Sequence, residues 1–491
     1  MTRKLLSSIS LDRGRTVSLL EQLSQGLKQQ IQSGAVETGQ PLPSSRELAR
    51  DLGVSRNTVI AAYDRLLGEG YLETRPRSGI FVSQGLADTR ELTGHLPTSK
   101  RIRQLATQRK SDVPVSSLVL GAPTPFRPCQ PDVNLFPLES WNRLRNRALR
   151  KLGAGLLHYQ SKCALGLPAL RKSLAEYLNA SRGVRCTWNQ IAVTSGSQQA
   201  LYLLGQLLLK RGDLVLLEDP GYPGARLAFA RAGAKIRRMK VDDQGVIPPA
   251  RPELARLIYT TPSRQFPTGA SLPVARRLAM LEFARRSRAW LLEDDYDSEF
   301  RYTRPPLPSL HSLDQAGRVI YLGSMSKVLF PSLRIGYVVL PEELVQPFES
   351  LRLIVDDHGP LIDQATLAEF IDSGGFYTHI RRCRKSYAGK LETFLNAAEV
   401  HRLPLEFPFA DGGMNQTGFF TDSRTDDQAV SQALAARGLD IPSTSHYCLK
   451  KTGGGRFGSA SGLVFGFTAF DHKIIQSSLA VVASIMRDAR T

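Results

Sequence analysis

The stretch SMSKVLFPSLRIGY, residues 324–337, sets Lys327 between serines and Arg334 seven residues beyond it. A lysine in this setting admits three kinds of chemistry: a solvated surface cation, the base of a Ser-x-x-Lys acyl-transfer pair, or an amine that forms an imine with a cofactor aldehyde. The neighbouring stretches bear on the choice. VTSGSQQAL (193–201) reads as a strand, a small-residue turn and a helix start, so backbone N–H groups around Ser195, Gly196, Ser197 and Gln198 would face an anion placed there. EDPGYPGAR (218–226) presents Tyr222 on a Gly-Pro-framed turn, where its face can stack on a flat ring. EDDYDSEF (293–300) offers Asp294, a carboxylate able to pair with a protonated pyridine nitrogen, and Tyr296, a phenol able to hydrogen-bond a ring hydroxyl. Arg334 can join the anion site. The acyl-transfer option fails on spacing: Lys-Thr-Gly occurs at 451–453, but Tyr-x-Asn (177–179) precedes Ser324 instead of following it, and there is no Ser-Asp-Asn.

The elements that must hold these residues alternate. QIAVTSG, DLVLLED, ARLIYTT, AWLLEDD, RVIYLGS and LRIGYVVL are β-branched strand runs separated by helical stretches, which predicts an α/β domain over 116–491 with a largely parallel buried sheet. The chemistry-bearing residues fall at the ends of those strands.

Residues 16–83 read as a separate compact unit, within a domain assigned to 12–83. Leu20, Leu23, Leu27 and Ile31 share one helical stripe. Ser44 with Glu47 is a capping box, Leu48 and Leu52 face inward, and Gly53 ends that helix. Ser55 caps the next, turning Val59, Ala62, Tyr63 and Leu66 inward and leaving Arg56, Asn57 and Thr58 exposed in its first turn; Gly70 stops it. YLET and IFV, joined by RPRSG, make a two-stranded wing with Arg75 and Arg77 at its tip. Helix, turn, capped helix and basic wing together predict a winged helix-turn-helix that binds duplex DNA. A plain helical bundle with a hairpin would match the apolar pattern but leave the arginines unexplained. Between the units, residues 84–115 are polar and basic without periodicity and read as a mobile linker.

The chain has 491 residues and a formal net charge of +19, which favours polyanionic partners, nucleic acid before membrane. Its apolar runs fall short of a membrane span, and the N-terminus MTRKLLSSISLDRG has no apolar core of signal-peptide length, so a cytoplasmic protein, on the nucleoid when DNA-bound, is expected. The five cysteines are widely separated and lie near no histidine at zinc-ligand spacing; free thiols and no metal are expected.

The order of cradle, stacking aromatic, pyridine-pairing Asp, imine Lys and phosphate Arg resembles the layout of pyridoxal phosphate (PLP) enzymes of the aspartate aminotransferase fold type. With LPSSRELARDLGVSRNTV, GLPALRKSLAEYLNASRGVRC, VTSGSQQAL, EDPGYPGAR, EDDYDSEFRY and SKVLFPSLRIGY, nearly the whole chain resembles the MocR subfamily of GntR-type bacterial transcription regulators, a winged helix-turn-helix fused to an aminotransferase-like fold type I domain. The resemblance implies that Lys327, Asp294, Tyr296, Tyr222, Ser197, Gln198, Arg334 and Ser324 bind PLP. It also implies that Arg46, Ser55, Arg56, Asn57, Thr58, Arg75 and Arg77 meet operator DNA. A homodimer paired through the large domains, and a regulator in place of a working enzyme, are further implications. The chain departs from the family pattern at Arg264, where a histidine is usual. It departs again at Val464 and Gly224, where amino-acid-handling relatives carry carboxylate-gripping arginines, with Arg226 and Arg456 as the nearby candidates. These departures predict PLP itself, and so vitamin B6 supply, as the signal in preference to an amino acid.

Overall fold

The computed structural model describes residues 9–14, 17–76, 78–84, 124–158, 160–250, 254–302, 307–422, 424–449 and 461–488. They divide into two compact units, the first ending at Gln84 and the second beginning at Thr124.

In the first unit Ser18 caps α1 (Leu19–Gln32), and Leu23, Leu27 and Ile31 lie on its buried stripe. Ser44 and Glu47 form the expected reciprocal capping box on α2 (Ser45–Leu52), which Gly53 ends at φ 65°. Ser55 caps α3 (Arg56–Gly68), whose Val59, Ala62, Tyr63 and Leu66 are buried. The wing pairs β1 (Leu72–Arg75) antiparallel with β2 (Gly79–Val82), Leu72 opposite Val82. Leu23, Leu27, Leu48, Val59, Leu66, Leu72 and Val82 make one core. Each such leucine contributes about 1.5–3 kcal/mol, which holds the exposed first turn of α3 at a fixed angle.

The second unit begins with α4 (Leu138–Leu152) and α5 (Pro168–Arg182), then alternates: β3 (Ile191–Thr194), α6 (Ser197–Leu208), β4 (Leu214–Asp219), α7 (Pro223–Arg231), β5 (Lys235–Asp242), β6 (Gly245–Val246), β7 (Ala255–Thr260), α8 (Val274–Ser287), β8 (Trp290–Asp295), α9 (Leu310–Leu313), β9 (Val319–Ser324), α10 (Met325–Val328) and β10 (Gly336–Val339). The strands form one eight-stranded sheet in the order β3-β10-β9-β8-β7-β4-β5-β6. β3, β4, β5, β7, β8 and β9 run one way, while β6 and β10 run the other. The sheet is therefore mixed, not simply parallel. The run LRIGYVVL has the apolar continuity of a buried strand, and that continuity carries no direction.

The chain continues through α11 (Glu342–Val355), α12 (Leu361–Asp372), the 26-residue α13 (Gly375–Val400), β11 (Leu405–Glu406), β12 (Asn415–Phe420), α14 (Asp427–Ala435), β13 (Gly462–Gly466) and α15 (His472–Asp488). β11, β12 and β13 form a second, antiparallel sheet. No helix among the described residues is long and apolar enough to cross a membrane, and no His/Cys/Asp/Glu group among them could hold a metal ion.

Candidate functional site

The carboxyl ends of parallel strands are where an α/β sheet leaves a crevice. Here a cavity of about 580 Å3 takes its walls from that edge, from residues 127–129, and from α14 and the stretch that follows it. Ser197, Tyr222, Asp294, Tyr296, Ser324 and Lys327 all line it. Gln198 and Arg334 stand behind the wall. Gln198 donates from Nε2 to Gly224 O at 3.0 Å and accepts the Tyr222 hydroxyl at 3.3 Å, while Arg334 donates from Nη2 to Ser195 O at 2.7 Å. Another cavity, of about 730 Å3 and lined by Tyr177, Arg182, Glu299 and Arg384 among others, holds none of these residues.

Strand alternation explains how the acidic run 293–295 divides its labour. Successive side chains on β8 point to opposite faces. Glu293 accepts the N–H groups of Leu310 and His311 at 3.0 and 2.9 Å, and Asp295 Oδ2 takes the Arg182 guanidinium at 2.6 Å and the Tyr321 hydroxyl at 2.5 Å. Asp294, between them, faces the cavity. Its Oδ2 accepts the Tyr259 hydroxyl at 2.7 Å; its Oδ1 is buried with no hydrogen-bond partner. Burial pushes the carboxyl up to about 7, opposed by the Tyr259 bond. Lys327, on the one-turn α10, donates from Nζ to Cys129 O at 3.1 Å.

The anion cradle is narrower than its sequence suggested. Ser195 N–H already donates to Gln199 Oε1 at 2.7 Å, because the glutamine one turn into α6 folds back over the turn. The expected cradle is thus confined to residues 196–198, at the start of a 12-residue helix. Gly196 adopts φ 83°, and a Cβ there would come within 3.2 Å of the Arg334 guanidinium, so the glycine lets that cation close against the helix start.

Several cavity residues were not foreseen. Arg127 and Cys129 come from the segment 126–132, and Asp440, Ser443, His446 and Tyr447 from the stretch after α14. Arg127 Nε meets Asp440 Oδ2 at 2.5 Å across 313 residues of chain, a pairing no local pattern announces. Cys129 N–H donates to Asn415 Oδ1 at 2.6 Å. Tyr259, next to last in β7, was not foreseen either: its place beside Asp294 follows from the pairing of β7 with β8.

Of the family departures, Arg264 does not line the cavity. It is buried and joins segments of the C-terminal region, donating to Phe409 O (3.2 Å) and Asn415 O (3.0 Å) and pairing with Asp411 (3.2 Å). A Cβ at Gly413 would collide with its guanidinium. Val464 is fully buried in β13, and a Cβ at Gly224 would collide with Gln198 and the Tyr222 ring. Arg226 reaches Cys448 O at 3.5 Å and is not on the cavity wall; Arg456 lies outside the described residues.

In the first unit Arg46, Arg56 and Asn57 are exposed, Arg56 Nε bonding to Ser45 Oγ at 3.3 Å. The Ser55 hydroxyl is engaged by Thr58, both N–H (3.1 Å) and Oγ1 (2.8 Å), so these two side chains shape the helix start. Arg75 lies over the Phe81 ring and donates to Glu73 at 2.8 Å. Arg77 lies outside the described residues.

Residues 19–82 match "Bacterial regulatory proteins, gntR family", and residues 163–457 match "Aminotransferase class I and II". The chain is 36% identical over 96% of its length to the "Probable rhizopine catabolism regulatory protein MocR" of Rhizobium meliloti, covering 94% of that protein. It is 32% identical over 97% of both chains to the pyridoxine biosynthesis transcriptional regulator PdxR of Corynebacterium glutamicum. Among solved structures, the α-aminoadipate aminotransferase LysN of Thermus thermophilus, complexed with N-(5'-phosphopyridoxyl)-L-leucine, superposes with a TM-score of 0.67 at 26% identity, covering 77% of this chain and 96% of that one.

Proposed function

Since the chain belongs to the MocR-type GntR regulators, we propose that it is a PLP-binding transcription regulator whose first unit binds operator DNA and whose second unit binds the signal. PLP, when bound, supplies an aldehyde that captures a primary amine and a pyridine ring that withdraws electrons. The residues present fit that group. Lys327 would hold the aldehyde, Asp294 Oδ1 the ring-nitrogen proton and Tyr296 the ring hydroxyl. Tyr222 would cover the ring, and Ser197, Gln198, Ser324 and Arg334 would surround the phosphate. The observation that carries the reading is Asp294 Oδ1: a buried carboxylate oxygen with no partner, facing the cavity that Lys327 also lines. A pyridinium N–H would give it one.

The signal in this reading is PLP itself. Val464 and the crowded Gly224 offer an incoming carboxylate no guanidinium, and a relative matching nearly end to end is named for pyridoxine biosynthesis. Arg127, a cation on the cavity wall paired with Asp440, favours a second reading, an amino-acid-responsive regulator. Regulation rather than turnover, a homodimer placing two winged units on paired half-sites, and a cytoplasmic location complete the proposal.

The test is the visible absorption spectrum of the full chain after incubation with PLP and dialysis. A visible band is expected in the wild type and lost in Lys327→Ala; identical spectra would overturn the assignment. DNA binding is tested on the region upstream of the chain's own gene, where Arg56→Ala should bind more weakly than the wild type.

A further inference from the structure

The cavity of about 730 Å3 contains no residue assigned to PLP or to DNA. Its walls come from the segment leading into α4, the end of α5, the loop after β8, the turn between α12 and α13, and the first turns of α13. Leu135, Tyr177, Phe370, Tyr377 and Ile380 give it an apolar side. Tyr377 is 40% exposed, and its ring lies 6.2 Å from that of the buried Tyr177. A space of this size, partly lined by aromatic rings, suits a small organic molecule.

Three exposed guanidinium groups border the same space, on Arg381, Arg382 and Arg384. Among the described residues none of them pairs with a carboxylate: Arg381 Nη2 donates to Thr378 Oγ1 at 3.3 Å, and Arg384 Nε to Glu299 O. By contrast, Arg285 and Arg286 on α8 both meet Glu282. Arg182, also in the wall, is committed to Asp295 at 2.6 Å. Glu299, the acidic member of the wall, is buried and accepts the Tyr177 hydroxyl at 2.6 Å; burial pushes its carboxyl up, so it does little to neutralise the arginines. The start of the 26-residue α13, where Gly374 supplies no side-chain cap, adds the positive end of a helix dipole to the same wall.

We propose that this cavity is a second ligand site, for an organic monophosphate with a flat apolar body, the phosphate set among Arg381, Arg382 and Arg384 and the body against Tyr177, Phe370 and Tyr377. A phosphate dianion offers oxygens to more than one guanidinium fork at once, and the rings supply the contact that bare phosphate cannot use. Neither half suffices by itself, because a neutral ring leaves the arginines in water. The site does not rest on the cofactor reading, since the two cavities share no lining residue.

The experiment is isothermal titration of the full chain, equilibrated with PLP and dialysed, with phenyl phosphate, phenol and inorganic phosphate as separate probes. Phenyl phosphate should saturate one site per chain and bind more tightly than either of the others by roughly tenfold or more, the contribution of one charge-assisted contact or one covered ring. Arg381→Gln combined with Arg382→Gln should weaken phenyl phosphate by roughly tenfold or more; both side chains are exposed, so the fold is kept. Arg285→Gln combined with Arg286→Gln removes the same charge from α8 and should leave the affinity unchanged. No saturable binding, equal affinity for phenyl phosphate and inorganic phosphate, undiminished binding in the α13 double variant, or an equal loss in both double variants would overturn the site.

Discussion

Asp294 carries a cost that the protein without PLP must bear. Burial raises its carboxyl from 3.8 to about 7, and Glu293 and Asp297 are likewise pushed to about 7. Groups whose folded pKa is raised hold their protons more tightly in the folded state. Their contribution to stability is full below the ordinary carboxyl range near 4 and is lost as pH climbs through about 7. For Asp294 alone the change corresponds to roughly 4 kcal/mol at most. The PLP-free chain should therefore show a falling Tm from pH 5 to pH 8. Asp294→Asn should raise that Tm more at pH 8 than at pH 5 while weakening PLP binding, as measured by thermal unfolding and by cofactor retention. An equal effect at both pH values would mean that Asp294 titrates normally. Tyr259→Phe removes the hydroxyl bonded to Asp294 and should cost about 1–3 kcal/mol of PLP affinity, read from the visible band. Asp294 was legible because its neighbours in sequence form a motif. Its tyrosine was not, since that contact depends on which strands are adjacent in the sheet.

At the scale of elements, legibility followed locality. The caps at Ser44 and Ser55, the stop at Gly53 and the hairpin register are set within a few residues of chain, so the winged unit could be read almost element by element. The reversal of β10 and the place of Arg264 depend on packing against distant chain, and the sequence carried no signal for either. Ser44→Ala, which removes the hydroxyl accepting Glu47 N–H, should destabilise the first unit by about 1 kcal/mol. On the DNA face, Arg56 sits exposed at the first turn of α3, where a recognition helix meets base edges. Arg56→Ala should cost about 1–3 kcal/mol of specific affinity and relax selectivity at one base pair. Arg75 is already engaged by Glu73 and Phe81. Arg75→Ala should lower affinity for all sequences alike and flatten the salt dependence, by less than an arginine free of internal partners would. A base-specific loss on Arg75→Ala would reverse these assignments, and competition titrations against single-base operator variants distinguish them.

Over the whole molecule, the cavity is a long-range object: Arg127, Tyr222, Asp294, Lys327 and Asp440 are strung across more than 300 residues. Its polar inner end was readable from motifs at strand ends, and its outer end was not. The DNA-binding signals and the cofactor signals, in contrast, separate cleanly along the chain, and so do the cores. Leu23, Leu27, Val59 and Leu66 pack within the first unit, whereas Leu174, Tyr321, Phe394 and Phe465 pack within the second. Units with separate cores can unfold separately, and a ligand stabilises only the unit that binds it. Calorimetry of the full chain should therefore show two transitions. PLP at about 100 times its Kd should add roughly 2.7 kcal/mol to one of them, and Lys327→Ala should abolish most of that shift. Ser44→Ala should lower the other transition and leave the PLP-sensitive one in place. A single transition moved by both changes would show that the two units unfold as one cooperative body. In that case PLP binding would be coupled energetically to the winged unit even without DNA, and the signal would reach the operator through shared stability instead of through a rearrangement that DNA alone reveals.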